Sequence, residues 1–353
     1  TWTLPAEDAE GNFQYVPNEA AMALDILQVA QTVHKPTRGT CLRCHAYAAG
    51  TDCGKRGDLG SDTVNPPVDV DVHMSVDGQN FTCQQCHTFQ NHRVLGRGLD
   101  LRANDHPELL TCTSGGCHTT NPHDSNRLNL HTARVACQSC HIPRFAKQMT
   151  TELARDWNHP FWAQGLFGGQ GGYKPEEIRA MNVTPSYRWY DGTSNVYALG
   201  LALTVQNATG QYEMGTPNGS VNSPGAKIMP MKEHISNSAR HDATGQLIPH
   251  STSTYFFTGE FSRAVQEGMD QTSLTGSWTM VDVHTFQTIN HGVEPTANAL
   301  ACGQCHASLL GGPTRLDLQG TLGYQLKGTI QQVCIQCHNF KSPRGFSTEH
   351  DKH

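Results

Sequence analysis

The stretch Cys137-Gln-Ser-Cys140-His141 is one of six places in this chain where two nearby cysteines are followed directly by a histidine. Five of these motifs have two residues between the cysteines, and the third motif, Cys112-Thr-Ser-Gly-Gly-Cys117-His118, has four. The motif cysteines are Cys41, Cys44, Cys83, Cys86, Cys112, Cys117, Cys137, Cys140, Cys302, Cys305, Cys334 and Cys337. The motif histidines are His45, His87, His118, His141, His306 and His338. A chain of this composition would contain roughly 0.03 motifs with the short spacer by chance.

The C-x-x-C-H pattern is typical of covalent haem attachment in c-type cytochromes. Each cysteine forms a thioether with a haem vinyl group, and the adjacent histidine becomes the proximal iron ligand. The longer third motif can also reach both vinyl groups, because Gly115 and Gly116 permit a looped-out backbone. The sequence therefore predicts six covalently bound haems c, each with its iron.

Two other uses of cysteine fit the pattern less well. Zinc sites pair two C-x-x-C units about 15–20 residues apart, and only the gap from Cys117 to Cys137 has such a length. Disulfides would suit an exported protein, but they do not call for a histidine at the same place six times. The total of 13 cysteines is also odd.

Composition agrees with a protein whose core is partly cofactor. Charged residues make up 16% of the 353 residues, well below the usual quarter, and the formal net charge is −6. This charge argues against nucleic acid as a partner, and the longest apolar stretch, 197–205, is too short to span a bilayer. We predict a multihaem cytochrome c fold that is mostly irregular, with short α-helices and a few small β-hairpins around six haems.

The spacing of the motifs divides the chain into three parts. We predict a four-haem N-terminal region over 1–150, a haem-free middle region of hairpins and loops over 151–285, and a two-haem C-terminal region over 286–353. Helical periodicity predicts a helix that begins after Asn18 and ends before Pro36, with shorter helices at 176–181 and 261–269. Turn residues flank predicted strands at 186–190 and 197–205.

A haem that only carries electrons needs a second axial ligand on its iron. Fourteen histidines remain outside the motifs, which suffices for bis-histidine ligation of all six haems. The predicted distal ligands lie near attachment motifs: His73, His92, His123, His131, His291 and His350, with His353 as an alternative to the last. Met74 is the one well-placed methionine. Four histidines of the middle region are interpreted as ordinary surface residues: His159, His234, His241 and His250.

These features predict an electron-transfer protein with a chain of mainly bis-histidine haems. Cytochrome c maturation occurs outside the cytoplasm, so a periplasmic or extracellular location is predicted. The chain begins Thr-Trp-Thr-Leu-Pro without a secretory leader, which suggests a processed N-terminus. Its partners would be other redox proteins or copies of itself, including end-to-end assembly into a filament.

The thirteenth cysteine, Cys53, lies outside the motifs in the segment Asp52-Cys53-Gly-Lys55-Arg56-Gly-Asp58-Leu. This segment, a Gly-rich Asp-x-x-Lys sequence just after a haem motif, resembles the octahaem tetrathionate reductase family of multihaem cytochromes c. The resemblance extends over about 33–310, including Val-Asp-Val-His73-Met, Pro-Ser-Tyr-Arg-Trp-Tyr190-Asp-Gly-Thr and Ile-Asn-His291-Gly-Val. The family has eight haems, however, and its N-terminal motifs have no counterpart in the first 40 residues here.

The resemblance implies a second function. Lys55 would be the distal ligand of a catalytic haem, with Asp52 and Cys53 as its pocket neighbours, in a reductase of tetrathionate, nitrite or hydroxylamine type. A lysine amine binds iron only when it is deprotonated, so burial would have to lower its pKa. The alternative is that Lys55, Arg56, Asp52 and Asp58 form an exposed charged turn. If the lysine-ligated haem is one of the two absent here, the electron-conducting part remains.

Overall fold

A computed structural model describes residues 2–3, 16–90, 93–99, 109–306 and 315–325 of the chain. Five of the predicted haem residues lie outside these ranges: His92, Cys334, Cys337, His338 and His350. The other ten motif cysteines and five motif histidines are described, as are the remaining candidate ligands His73, His123, His131 and His291.

The elements described before residue 142 are all short. The strands form two small antiparallel pairs, β1 (Trp2–Thr3) with β2 (Val16–Pro17) and β3 (Phe89–Gln90) with β4 (Arg93–Val94). The helices are α1 (Ile26–Gln31), α2 (Arg38–His45), α3 (Asn126–His131) and α4 (Cys137–His141). The helices α2 and α4 each end on a motif histidine. A single helical turn places both cysteines and the histidine of a short motif close together.

The predicted long helix before the first motif is broken into two pieces. One turn of 3-10 helix covers Glu19–Ala21, and α1 begins afresh after Asp25. The Asp25 side chain accepts a hydrogen bond from the backbone nitrogen of Gln28 at 2.8 Å. An aspartate in this position caps a new helix, which explains why the predicted helix is interrupted here.

The middle of the chain forms a seven-stranded mixed sheet, a larger structure than the small hairpins that the sequence predicted. Its strands are β5 (Thr151–Ala163), β6 (Gly172–Ala180), β7 (Ser186–Tyr190), β8 (Ser194–Val196), β9 (Tyr212–Pro217), β10 (Lys227–His241) and β11 (Trp278–Thr288). The order is β6-β5-β10-β11-β9-β8, and β7 also pairs with β10. The β10–β5 and β11–β9 pairs are parallel, so strands distant in sequence lie side by side.

Two sequence predictions for this region were wrong in part. The helix predicted at 176–181 is instead the end of β6, because this segment pairs with β5 in an antiparallel ladder. The predicted strand at 186–190 is confirmed as β7, but the run 197–205 lies outside the strands.

Two helices cover one end of the sheet, α5 (Thr252–Thr258) and α6 (Phe261–Gln271), and the second confirms the helix predicted at 261–269. The buried side of α6 carries Phe261, Val265 and Met269, at the spacing expected of an amphipathic helix. These residues pack with Trp157 and Tyr255 in a dense aromatic cluster. This region therefore has a conventional side-chain core.

The last described helix is α7 (Cys302–His306), which again ends on a motif histidine. Residues 315–325 pack back against the sheet, where the Trp189 indole donates a hydrogen bond to the Leu322 carbonyl at 2.8 Å. Within the described ranges, no helix is both long and apolar enough to cross a bilayer.

Candidate haem sites

Four pairs of histidine rings lie at nearly the same separation. The ring centres are 6.1 Å apart in His73–His118, His87–His291 and His131–His306, and 6.2 Å apart in His123–His141. Each pair joins one motif histidine to one histidine that the sequence singled out as a distal candidate. The structure thus brings together four of the six predicted candidates with four of the six motif histidines.

This separation fits two imidazoles on opposite sides of one metal ion. An imidazole nitrogen lies about 2.0–2.1 Å from a bound transition metal and about 1.2 Å from its own ring centre, which puts two trans ring centres about 6.4 Å apart. The four observed separations agree with this value to about 0.3 Å. The angle between the two ring planes ranges from 10° to 86° among these pairs, while the separation stays nearly the same. Rings in direct contact would be expected to change their separation with this angle.

Hydrogen bonds at the other ring nitrogen also fit metal ligation. Nδ1 of His87 donates to the Leu95 carbonyl at 2.7 Å, and Nδ1 of His131 donates to the Arg127 carbonyl at 2.8 Å. Nδ1 of His123 lies 3.3 Å from the side-chain oxygen of Asn129. A proton held at Nδ1 leaves Nε2 as the lone-pair nitrogen that a metal needs.

The glycines of the long third motif have the conformation that the sequence predicted. Gly115 and Gly116 have φ angles of 67° and 76°, in the left-handed region. The extra two residues are therefore accommodated in a tight turn, and the backbone nitrogen of His118 still bonds to the carbonyl of Cys112 at 3.2 Å.

The attachment motifs follow one another in space in the same order as in the sequence. Thiols of successive motifs lie close enough together for one to affect the pKa of another: Cys41 of the first motif affects Cys83 of the second, and Cys117 of the third affects Cys86 of the second. In the same way Cys137 of the fourth motif affects Cys112 of the third, and Cys305 affects Cys140 of the fourth. The described cysteines are all free of disulfides. The five described motifs thus form a continuous row.

His45 differs from the other described motif histidines. It forms no ring pair with another histidine in the part of the chain that the structure describes, although it is exposed like His118 and His306. It lies close enough to His87 to affect the pKa of that residue. The segment Asp52-Cys53-Gly-Lys55 follows α2 directly, and the backbone nitrogens of Cys53 and Lys55 bond to the carbonyls of Ala46 and Ala48.

Cys53 is buried, with 2% of its surface exposed, and its thiol contacts the Arg56 carbonyl. Burial, together with the nearby carboxylate of Asp62, raises the pKa of this thiol to about 12. The group is therefore protonated at neutral pH, which disfavours a role as a thiolate nucleophile. The Asp52 carboxylate accepts hydrogen bonds from the backbone and hydroxyl of Ser61.

Lys232 and Asp58 are buried charged residues whose role the sequence did not reveal. Lys232, 1% exposed, donates from Nζ to the carbonyls of Gly54 and Lys55 at 2.6 and 3.1 Å and to the Thr151 hydroxyl at 2.8 Å. Burial lowers the pKa of this amine to about 8, although the Glu152 carboxylate opposes the change. Its position among apolar residues at the start of β10 was the signal available in the sequence. Lys232 therefore anchors the Asp52–Lys55 segment to the sheet.

The predicted alternative of an exposed charged turn is wrong for Asp58, because the Asp58 carboxylate is fully buried. Its Oδ2 accepts hydrogen bonds from His291 Nδ1 at 3.0 Å and from the backbone nitrogens of Asn290 and His291. Burial opposes ionisation, but Arg56 and these hydrogen bonds outweigh it and hold the pKa of Asp58 well below its usual range. The carboxylate is therefore charged at neutral pH.

Two comparisons with known proteins gave a match. A family described as bacterial cytochrome c matches residues 173–309. No curated protein matches the sequence. The solved structure of octahaem cytochrome c from Shewanella oneidensis is 33% identical, with a TM-score of 0.70, and the match covers 86% of this chain and 70% of that one.

Proposed function

The chain belongs to the multihaem c-type cytochromes, which carry electrons, and on that premise we propose that it conducts electrons through a row of six haems c with mainly bis-histidine iron ligation. The bound haem supplies one-electron exchange between ferric and ferrous iron. What the chain itself supplies is the attachment, the axial ligands and the order of the sites.

The histidine pairs support the proposed ligation. His118, His87, His141 and His306 would be proximal ligands, and His73, His291, His123 and His131 would be the corresponding distal ligands. The Cys334–His338 motif would hold the sixth haem, with His350 or His92 among the remaining candidate ligands; these residues lie outside the described ranges. Two histidines on one iron leave no open position for a substrate.

The observation that carries the proposal is the row of neighbouring attachment cysteines. Thiols that would bond to successive haems lie close enough to affect one another's pKa, as Cys41 does that of Cys83, Cys137 that of Cys112 and Cys305 that of Cys140. Closely spaced carriers in a fixed order are what electron conduction requires, and a single catalytic haem would not need them.

Removal of one distal ligand tests the ligation. We expect the His123→Gly variant to keep every haem by mass spectrometry but to convert one haem from low-spin to high-spin in the ferric electron paramagnetic resonance (EPR) spectrum. His159→Ala is the matched control, because His159 is an exposed histidine of the sheet that forms an ion pair with Asp156. An unchanged spin state in His123→Gly would refute the assignment of this ligand.

A reductase of small sulfur or nitrogen oxyanions is the second candidate function. It is favoured by His45, which lacks a histidine partner in the described ranges, and by the nearby Asp52–Lys55 segment anchored by Lys232. Lys55 would then ligate the iron of the first haem, with Asp52 in the pocket. The raised pKa of Cys53 favours a bystander role for that thiol. Loss of tetrathionate, nitrite and hydroxylamine reduction in Lys55→Ala, with all haems retained, would support this candidate; unchanged rates would eliminate it.

We further propose a periplasmic or extracellular location, with other redox proteins or copies of this chain as partners, including a filament. Support for a protein partner comes from exposed apolar side chains before the first motif, where Leu27 is 67% exposed and Val33 is 80% exposed. Electron micrographs at native concentration would distinguish filaments from discrete particles.

A further inference from the structure

We propose that Asp58 is a positioning residue that makes His291 the strongest electron donor among the distal histidines, so that the haem attached at Cys83 and Cys86 has the lowest reduction potential of the four paired sites. The inference rests on the proposed ligation of this haem by His87 and His291. Asp58 would act through the His291 ring, which it contacts at Nδ1.

Asp58 contacts both the ring and the backbone of His291. The Asp58 oxygen that accepts a hydrogen bond from Nδ1 at 3.0 Å also accepts hydrogen bonds from the backbone nitrogens of Asn290 at 2.8 Å and His291 at 3.1 Å. The carboxylate is 0% exposed, and its other oxygen lies 3.5 Å from the Arg56 guanidinium. Arg56 itself donates to the Thr288 carbonyl at 3.1 Å, at the end of β11. Asp58 therefore holds both the backbone and the ring of the ligand residue.

A buried carboxylate on Nδ1 changes the ligand chemically. It draws the Nδ1 proton toward itself, which gives the ring partial imidazolate character and makes Nε2 a stronger base. A stronger donor stabilises ferric iron relative to ferrous iron and so lowers the reduction potential, because hydrogen bonding to axial ligands is one of the means by which a protein tunes haem. The buried setting strengthens the effect, since solvent does not screen the charge.

Two other distal histidines have weaker acceptors at Nδ1. His131 donates to a backbone carbonyl, and His123 faces a side-chain amide oxygen. His291 is the one distal histidine in the described ranges for which a hydrogen bond to a carboxylate is seen. Its partner His87 also donates to a carbonyl, at 2.7 Å, so both ligands of this site have a fixed Nδ1 proton.

The low potential proposed for this haem would affect electron transfer because of where the haem lies among the others. The second motif lies close to both the first and the third motif, because Cys41 affects the pKa of Cys83 and Cys117 affects that of Cys86. A low potential at the second haem would make electron transfer onto it unfavourable, and electrons would have to pass through it between the first haem and the others. Asp58 would thereby slow exchange across that point of the row.

Asp71 offers a matched control. It is also buried and also ties the segment of a distal histidine to a second chain segment, but it binds backbone nitrogens only. Its oxygens accept from His73 and Met74 at 2.8 Å each, and from Gly292 and Val293 at 2.8 and 3.2 Å. Asp71→Asn thus removes a comparable buried charge next to the same segment without touching an imidazole.

The test is a spectroelectrochemical titration of the intact haem-loaded protein and of both variants, followed by EPR. We expect Asp58→Asn to raise the midpoint of the lowest-potential component while the haem count and the other midpoints stay as in the wild type. Asp71→Asn should raise that midpoint by much less, because Asp71 contributes only a charge near Cys86 and makes no bond to the His291 ring. An unshifted lowest midpoint in a fully loaded, low-spin Asp58→Asn protein, or an equal shift in both variants, would overturn the inference.

The wild-type protein provides a second test if Asp58→Asn loses a haem. The ring planes of His87–His291 meet at 27°, whereas those of His73–His118 and His131–His306 meet at 84° and 86°. Near-parallel imidazoles give an ordinary rhombic low-spin signal, and perpendicular ones give a signal with a large maximum g value. The lowest-potential component must show the rhombic signal, and a large-g signal there would refute the inference. A high-spin wild-type spectrum would instead refute the proposed ligation.

Discussion

The motif region, residues 37–141, and the sheet region, residues 151–288, have different kinds of core. In the sheet region, long strands and the helices beside them bury aromatic and aliphatic side chains such as Trp157, Tyr255 and Met231. In the motif region, the described helices are at most eight residues long, and the recurring interior feature is the histidine pair. The comparison indicates that the sheet region is stabilised by its own side chains, whereas the motif region depends on its haems.

The largest expected effect separates the two regions directly. A Cys137→Ser/Cys140→Ser variant should lose one haem by mass and become sensitive to limited proteolysis within 37–141, while the sheet region stays resistant. The reason is that binding of a metal group and folding are coupled where the group supplies the core. Cys53→Ser is the matched control and should keep every haem and the wild-type digestion pattern. Equal sensitivity of both regions would contradict the division.

Shortening a buried side chain in the sheet region should lower the stability of the protein without affecting any haem. Met269 on α6 is 1% exposed within the aromatic cluster, so Met269→Ala should lower the free energy of unfolding by about 2–5 kcal/mol. Gln266→Ala on the exposed side of the same helix should change it by less than about 0.5 kcal/mol. Denaturant titration followed by far-UV circular dichroism measures both values, and a change in the haem spectrum of Met269→Ala would contradict the account.

Acid should weaken the sheet region through His250, which was interpreted as a surface residue but packs against Trp157 with ring centres 4.4 Å apart. Burial, and then the charge of Arg155, lowers its pKa to about 4. The unfolded chain, with a histidine pKa of about 6.5, binds more protons between about pH 6.5 and 4, so stability falls as pH is lowered through that window. The loss is about 3 kcal/mol at most. His250→Phe should flatten this pH dependence, and an unchanged slope would refute it.

The smallest expected effect concerns an exposed ion pair of the sheet region. Arg263 and Glu267 lie one turn apart on α6, 3.8 Å from each other, with 60% and 38% of their side chains exposed. Solvent screening limits such pairs, so Arg263→Ala should change the free energy of unfolding by less than about 0.5 kcal/mol. A loss above 1 kcal/mol would show that surface charge, rather than the buried cluster, stabilises this region.

The attachment motifs and the distal candidates near them could be predicted from the sequence because their chemistry is local. The pairing could not, because it depends on how the chain folds back. His291 reaches His87, 204 residues earlier, since β11 ends at Thr288 and directs the next residues onto Asp58 and Asp71. Val72 and Val293 then join the two segments through a backbone hydrogen bond of 2.9 Å.

The sheet was underestimated because its strands carry charges that the fold neutralises. Glu152 in β5 is 2% exposed, yet it is bonded by Arg155 at 2.7 Å and by His234 at 2.9 Å. Burial opposes ionisation of Glu152, but these partners lower its pKa to about 2. Such a residue obscures the alternation of apolar and polar positions that identifies a strand. His234, interpreted as a surface residue, is therefore a half-buried partner of this carboxylate.

The central claim is that paired histidines hold the irons of an electron-conducting row. Spin quantification of the fully oxidised protein by EPR, set against the haem count from intact-mass spectrometry, tests it most directly. We predict six haems per chain, all low-spin, with both rhombic and large-g signals from the near-parallel and perpendicular pairs. A high-spin signal equal to one haem or more, or a single type of low-spin signal, would contradict this ligation.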